Sequence, residues 1–268
     1  MIFFLWIGLF VLGIYLLVSI CTTWLQPYFI FRPEQLKEGY VFDFQKKLEE
    51  VWLDSPKGGK IHALWRKVPE SKGVVLYFHG NAGSLKRWGH LYFFFERHQH
   101  DLFIIDYRGY GKSGGKRTMN LMYQDAERAY QFVSEHYAAE QIILHGRSLG
   151  SAFALHVAAR EKVQALVLET PFSSMEDLFY AYFPFLPRVF PFSYRFQNRQ
   201  NLKKTQCPVY LFHGTDDWVV PYRVAYKLIP YLKDSDRFFT ITGGGHNDLL
   251  YFDQYQEEMA WILKKGDS

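Results

Sequence analysis

The sequence predicts an α/β domain, with a mostly parallel sheet of about eight strands covered by helices on both faces and one apolar helix ahead of it. Two observations carry this. From residue 49 onward, short apolar runs alternate with longer amphipathic ones, the signature of βα units. Ahead of them, residues 1–31 hold no charged side chain, and Arg32 is the first. The chain has 268 residues. The part beyond the apolar segment suits one large domain that buries its core without staples.

The run Ile2 to Leu25 is almost wholly apolar. Its ~24 residues rise roughly 36 Å as a helix, enough to cross a hydrocarbon core of ~30 Å with some tilt. Trp24 and Tyr28 fall where an interfacial aromatic belt sits. A cleaved signal peptide wants a basic start, a shorter apolar stretch and a small-residue cleavage site, and the segment has none of these. The run Val18-Ser19-Ile20-Cys21 loosely resembles a lipoprotein signal, with Ile20 where a small residue is needed. Residues 1–31 are therefore expected to be a single-pass membrane anchor, 32–46 a connector, and 32–268 the main domain. Arg32, Lys37, Lys46 and Lys47 follow the anchor, while only the α-amine precedes it. The positive-inside rule then assigns the domain to the cytoplasm.

Charge and cysteine usage exclude other classes. The formal net charge is +4, with the basic residues scattered among acids; nucleic-acid binding calls for a basic stripe, so no nucleic-acid partner is expected. Two cysteines, Cys21 and Cys207, make neither a disulfide framework nor a metal pattern.

Strands are expected at 49–53, 61–68, 73–79, 102–106, 141–145, 164–169, 208–213 and 237–241. The first two, joined by Ser55-Pro56-Lys57-Gly58-Gly59, read as an antiparallel edge. Helices are expected at 85–98, 119–136, 148–160, 222–232 and 248–265.

The strongest chemical signal is Gly146-Arg147-Ser148-Leu149-Gly150. It matches the G-x-S-x-G elbow, in which a sharp strand-to-helix turn lifts a serine out of a sheet. Here a strand enters the motif and a helix leaves it. A serine hydroxyl needs a base, and in this arrangement the acid and then the histidine follow the serine. Of the ten histidines, His246 stands in a glycine-rich loop, Thr242 to Asp248, between the last strand and last helix. The acid should follow a strand near the C-terminal edge. Asp217 in His213-Gly214-Thr215-Asp216-Asp217-Trp218-Val219-Val220-Pro221 is preferred over its neighbour Asp216, with Glu169 a second choice. An oxyanion hole would take one backbone N–H from Leu149 and another from the loop His79-Gly80-Asn81-Ala82-Gly83, where Asn81 is the best donor.

These residues, with Asp106-Tyr107-Arg108-Gly109-Tyr110-Gly111-Lys112-Ser113 and Thr170-Pro171-Phe172, occur in the order found in short-capped α/β hydrolases. The sequence resembles the membrane-anchored group with a serine-aminopeptidase-like label, which includes eukaryotic protein depalmitoylases. The resemblance spans roughly residues 48–265. It implies the α/β-hydrolase fold and a catalytic triad of Ser148, Asp217 and His246, and it leaves the substrate open.

Two patterns are decoys. Gly109-Tyr110-Gly111-Lys112-Ser113-Gly114 matches G-x-G-x-x-G, but a dinucleotide site needs a helix opening there, and helical spacing begins only at Met119. His98-Gln99-His100-Asp101 reads as a solvated turn. Neither a cofactor nor a metal is expected. Between Glu169 and Pro208 lies a cap insertion, about 171–206, crowded with aromatics and broken by Pro184, Pro187 and Pro191, so one long helix is excluded. Its aromatics suit an acyl chain, and equally suit packing on the core or contact with lipid. The expected activity is hydrolysis of carboxylic esters or thioesters of apolar acyl groups, with a serine peptidase or a non-catalytic membrane scaffold as alternatives.

Overall fold

The strands, in chain order, are β1 (Arg32–Pro33), β2 (Glu49–Ser55), β3 (Gly59–Arg66), β4 (Val74–Phe78), β5 (Ala82–Gly83), β6 (Asp101–Ile105), β7 (Ile142–Arg147), β8 (Ala165–Glu169), β9 (Val209–Gly214) and β10 (Arg237–Ile241). The helices are α1 (Ile2–Ile20), α2 (Gln26–Ile30), α3 (Leu85–Trp88), α4 (Tyr92–Arg97), α5 (Met119–Ser134), α6 (Gly150–Ala158), α7 (Met175–Tyr182), α8 (Asn198–Leu202), α9 (Tyr222–Tyr226) and α10 (Asp253–Lys264). They come from a computed structural model that describes residues 2–44 and 46–264. Met1, Gln45 in the expected connector and Lys265 at the end of the expected last helix lie outside the described residues.

Eight strands form one sheet in the order β10-β9-β8-β7-β4-β6-β3-β2. Only β2–β3 and β3–β6 pair antiparallel. The central strands β4, β6, β7, β8 and β9 are buried along their whole length, as parallel strands covered on both faces must be. Alternation along β4 serves two cores. Val74, Leu76 and Phe78 face the layer holding α5 and α6, while Val75 and Tyr77 face the layer holding α4 and α10.

Helix ends differ from the sequence expectation for local reasons. The 85–98 segment breaks at a 3₁₀ turn, Gly89–Leu91, where a Cβ on Gly89 would lie 2.3 Å from the Phe44 ring. The 222–232 segment ends its α-helix at Tyr226, and Ile229–Tyr231 is a separate 3₁₀ turn around Pro230. The last helix starts at Asp253 rather than Asp248, because the Asp248 carboxylate is engaged in the loop, accepting from Gly245 N–H at 2.7 Å.

At the N-terminus α1 runs into a π-helical turn, Cys21–Leu25, and then α2. Together Ile2–Ile30 is an apolar helix of 29 residues, a candidate membrane anchor. Its last turns are docked. Ser193 Oγ donates to the carbonyl of Thr23 at 2.7 Å. The Gln26 side-chain amide accepts from Tyr194 N–H at 2.8 Å and donates to Tyr194 O at 3.3 Å. More than two turns earlier in the helix, the rings of Tyr15 and Phe190 stack with centroids 5.5 Å apart. Beyond the helix, β1 forms a second, two-stranded sheet by pairing parallel with β5. The residue pattern predicts no strand at either position.

Candidate active site

Every candidate residue stands at the carboxyl end of a strand or in the loop that follows one, where open α/β sheets bind ligands. Ser148 follows β7 with φ +51°, a strained left-handed backbone that persists only where its surroundings fix it. Two features fix it here. Its N–H donates to the carbonyl of Glu169 at 2.8 Å, and α6 begins two residues later. The flanking glycines are required by close approach: a Cβ on Gly150 would lie 1.9 Å from the Phe78 carbonyl oxygen, and one on Gly146 would lie 2.6 Å from that of Gly150.

His246 lies in the loop after β10, with its Nε2 3.0 Å from Ser148 Oγ. Its Nδ1 is 2.8 Å from Asp217 Oδ2. An ionised carboxylate only accepts, so Nδ1 carries the proton and Nε2 is the acceptor for the serine hydroxyl. Asp217, after β9, is held by Val219 and Val220 N–H groups donating to Oδ1 at 2.9 and 2.8 Å. All three side chains are buried. Burial pushes the pKa of nearby His213 below the usual histidine value, against the opposing charge of Asp217. Asp216 turns away and accepts from Thr215 Oγ1.

Glu169, the alternative acid, does not meet His246. Its Oε1 pairs with Arg147 Nε at 3.1 Å, and its Oε2 accepts from Tyr255 at 2.9 Å. Arg147 in turn donates to the carbonyl of His246 and to Asn247 Oδ1, both at 3.1 Å, and lies over the Trp88 ring. The variable position of the elbow motif thus ties the strand before Ser148 to the histidine loop. Sequence reasoning missed this role; the one available signal was a cation beside the candidate nucleophile with an acid at the end of the next strand.

The two expected oxyanion donors are N–H groups with no acceptor among the described residues, those of Leu149 and Asn81. The loop bearing Asn81 is held from several sides. Tyr107 donates to the His79 carbonyl at 2.6 Å, Tyr110 to that of Asn81 at 2.7 Å, and Trp88 Nε1 to that of Ala82 at 2.8 Å. The exit of the apolar helix adds a further clamp. Arg32 N–H donates to the Asn81 carbonyl at 3.0 Å, and the Asn81 side-chain amide donates to the carbonyl of Ile30 at 3.1 Å. No group of His, Cys, Asp and Glu with metal-binding geometry occurs among the described residues.

Comparison with known proteins identifies the family. The human alpha/beta hydrolase domain-containing protein 17B is 30% identical over 213 residues, covering 78% of this chain and 73% of that one. The chain belongs to the α/β-hydrolase family. The mouse alpha/beta hydrolase domain-containing protein 17C is also 30% identical, over 201 residues, covering 74% of this chain and 62% of that one. A family model described as serine aminopeptidase, S33, matches residues 69–199, a span that holds Asn81, Ser148 and Leu149 and stops short of Asp217 and His246. Among solved α/β-hydrolase structures, an esterase of Pyrococcus furiosus superposes with a TM-score of 0.69 at 17% identity, covering 88% of this chain and 98% of that one. An alpha-beta hydrolase of Vibrio vulnificus gives 0.65 at 21% identity, covering 81% of each. These two likenesses establish the α/β-hydrolase fold alone.

Proposed function

We propose that this α/β hydrolase is a membrane-anchored serine enzyme cleaving carboxylic ester or thioester bonds of apolar acyl substrates through an acyl-Ser148 intermediate. The observation that carries it is the contact series from Ser148 Oγ through the His246 ring to Asp217, at 3.0 and 2.8 Å. Ser148 Oγ attacks the carbonyl carbon while His246 Nε2 takes its proton. Asp217 holds the imidazole tautomer and stabilises the imidazolium without being protonated itself. The Leu149 and Asn81 N–H groups receive the oxyanion. His246 then protonates the leaving alcohol or thiol, and a water activated by the same ring releases the acyl group. Residues 1–31 would be the anchor and 32–268 the domain, facing the cytoplasm. The substrate would be a lipid or a lipidated protein, which accords with a membrane address and an aromatic cap.

The test is labelling by an alkyl fluorophosphonate. Wild type should label, and Ser148→Ala and His246→Ala should not. Undiminished labelling of the Ser148 variant would remove the mechanism. A peptidase is the second reading, favoured only by the description of the matching family model. Turnover of amino-acyl anilides without turnover of nitrophenyl esters or acyl thioesters would put it first.

A further inference from the structure

The cap and the apolar helix are in contact, and that contact fixes a depth. Helix α1 has 19 residues. At 1.5 Å each they rise about 28 Å, close to a full hydrocarbon thickness. If α1 spans the membrane, its end at Ile20 marks one face of the hydrocarbon. Tyr15 then lies about 7 Å inside that face. Yet Tyr15 stacks on Phe190 of the cap, and Val18 packs in the same cluster with Phe179, Tyr180 and Phe192. The hydrogen bonds from Ser193 to Thr23 and between Gln26 and Tyr194 pin this contact in place. A cap that touches Tyr15 cannot stand clear of the bilayer.

The chain beside Phe190 is made for such a place. Phe183 is exposed, Phe185 is 78% exposed and Val189 59%. Trp218, the residue after Asp217, is 80% exposed. It adjoins the same loop, since the Tyr182 hydroxyl donates to the carbonyls of Trp218 and Val219. Arg188 and Arg195, with Glu176, line a cavity of about 410 Å³ between Tyr15 and the cap. The Arg188 guanidinium lies over the Tyr180 ring, 5.0 Å from its centroid, and within 3.8 Å of Asp177, a cation on a long stem beside aromatics of the kind that meets lipid phosphates.

We infer that the 183–190 loop of the cap, with Trp218 at its edge, is seated in the surface of the bilayer that α1 crosses, so that the exposed Trp218 next to Asp217 faces lipid. The occupant of this apolar face is the membrane itself, because the face continues directly from the helix. The inference rests on the anchor reading above. It adds that the acyl chain approaches Ser148 from the membrane rather than from water.

The experiment uses the full chain in a Cys21→Ser, Cys207→Ala background, reconstituted in phosphatidylcholine–phosphatidylglycerol vesicles. A fluorescent thiol label is placed by Phe185→Cys, by Leu9→Cys in α1, or by Glu257→Cys on the exposed face of α10. Quenching is read with lipids spin-labelled high or low on the acyl chain, and fluorophosphonate labelling of Ser148 certifies each variant as folded. Shallow-lipid quenching at position 185 should exceed that at 257 at least about threefold, as for a group buried at the headgroup boundary. Quenching at 185 no greater than at 257, with position 9 quenched by deep lipids, overturns the inference and leaves the anchor intact. An unquenched position 9 overturns both. As a second readout, Phe185→Asp should lower turnover of a long-chain ester dispersed in vesicles about tenfold, leaving a soluble short-chain ester unchanged. Equal loss on both substrates would contradict an approach through the membrane.

Discussion

Asn81 separates two contributions that one residue makes to the proposed oxyanion hole. Its backbone N–H is the donor, and its side-chain amide clamps the loop to Ile30 O at 3.1 Å. In Asn81→Pro the donor is gone, and losing one oxyanion donor costs roughly 10²–10³ in kcat. In Asn81→Ala the donor stays and one hydrogen bond is lost, worth about 1 kcal/mol net. If that energy serves to hold the N–H in place, kcat falls about fivefold. The loop keeps its other two holds on the Asn81 carbonyl, from Arg32 N–H and the Tyr110 hydroxyl, so a larger loss is not expected. KM for a soluble nitrophenyl ester should barely move in either variant, because the donors act on charge that develops only in the transition state. Steady-state kinetics, with thermal unfolding as the control for folding, decide it. A folded Asn81→Pro variant with wild-type kcat would remove Asn81 from the oxyanion hole. A fully active Asn81→Ala variant would show that the side-chain bond to Ile30 does not position the loop.

Two further perturbations address the buried polar cluster beneath the site. Arg147→Met should lower stability by about 3 kcal/mol by stranding the Glu169 carboxylate, and should lower kcat more than it raises KM by freeing the His246 loop; adding Glu169→Gln should restore much of the stability in chemical denaturation but not the rate. His145 is driven down to about 4 by burial and by Arg147, against the opposing pull of Glu169. The unfolded chain binds its proton near pH 6.5 and the folded chain only near 4, so this contribution to stability is complete above the first value and is lost as pH falls toward the second, by about 3 kcal/mol. Denaturation midpoints at about pH 7 and about pH 4.5 should differ less in His145→Gln than in wild type, and an unchanged difference would exclude His145 as the source.

The parts of the molecule legible in the sequence are those that local chemistry dictates. Apolar runs such as Val74–Phe78 and Leu102–Ile105 admit no other place than a covered sheet, and the G-x-S-x-G turn announces itself because no side chain fits at Gly146 or Gly150. Strand-end position offered Asp217 and His246 as candidates, with Asp216 and Glu169 behind them, and the structure brings the His246 ring to Ser148 and Asp217 to that ring. Features made by tertiary partners left no trace. A two-residue strand containing Pro33 has no periodicity, and β1 exists only because Ala82–Gly83 lies beside it. The π turn at Cys21–Leu25 leaves no periodicity to read in a mostly apolar run, and the cap meets it through Ser193 at the Thr23 carbonyl. The cap aromatics divide in a way composition cannot give. Phe172, Tyr180, Phe190, Phe192, Tyr194 and Phe196 are buried, whereas Phe183 and Phe185 face outward.

The pairing of β1 with β5 has a consequence for how the domain could be separated from the candidate anchor. Residues 30–36 are usually where a protease would free a soluble domain or where an engineer would start a truncated gene. Here Arg32, Glu34 and Leu36 form backbone hydrogen bonds with Asn81, Gly83 and Gly111, and Glu34 also receives Ser84 and Lys86. A cut after Leu36 would therefore remove the strand that holds the Asn81 loop along with the apolar helix. Solubility and full activity are to be sought by trimming only as far as Phe29, so that the seam stays sewn.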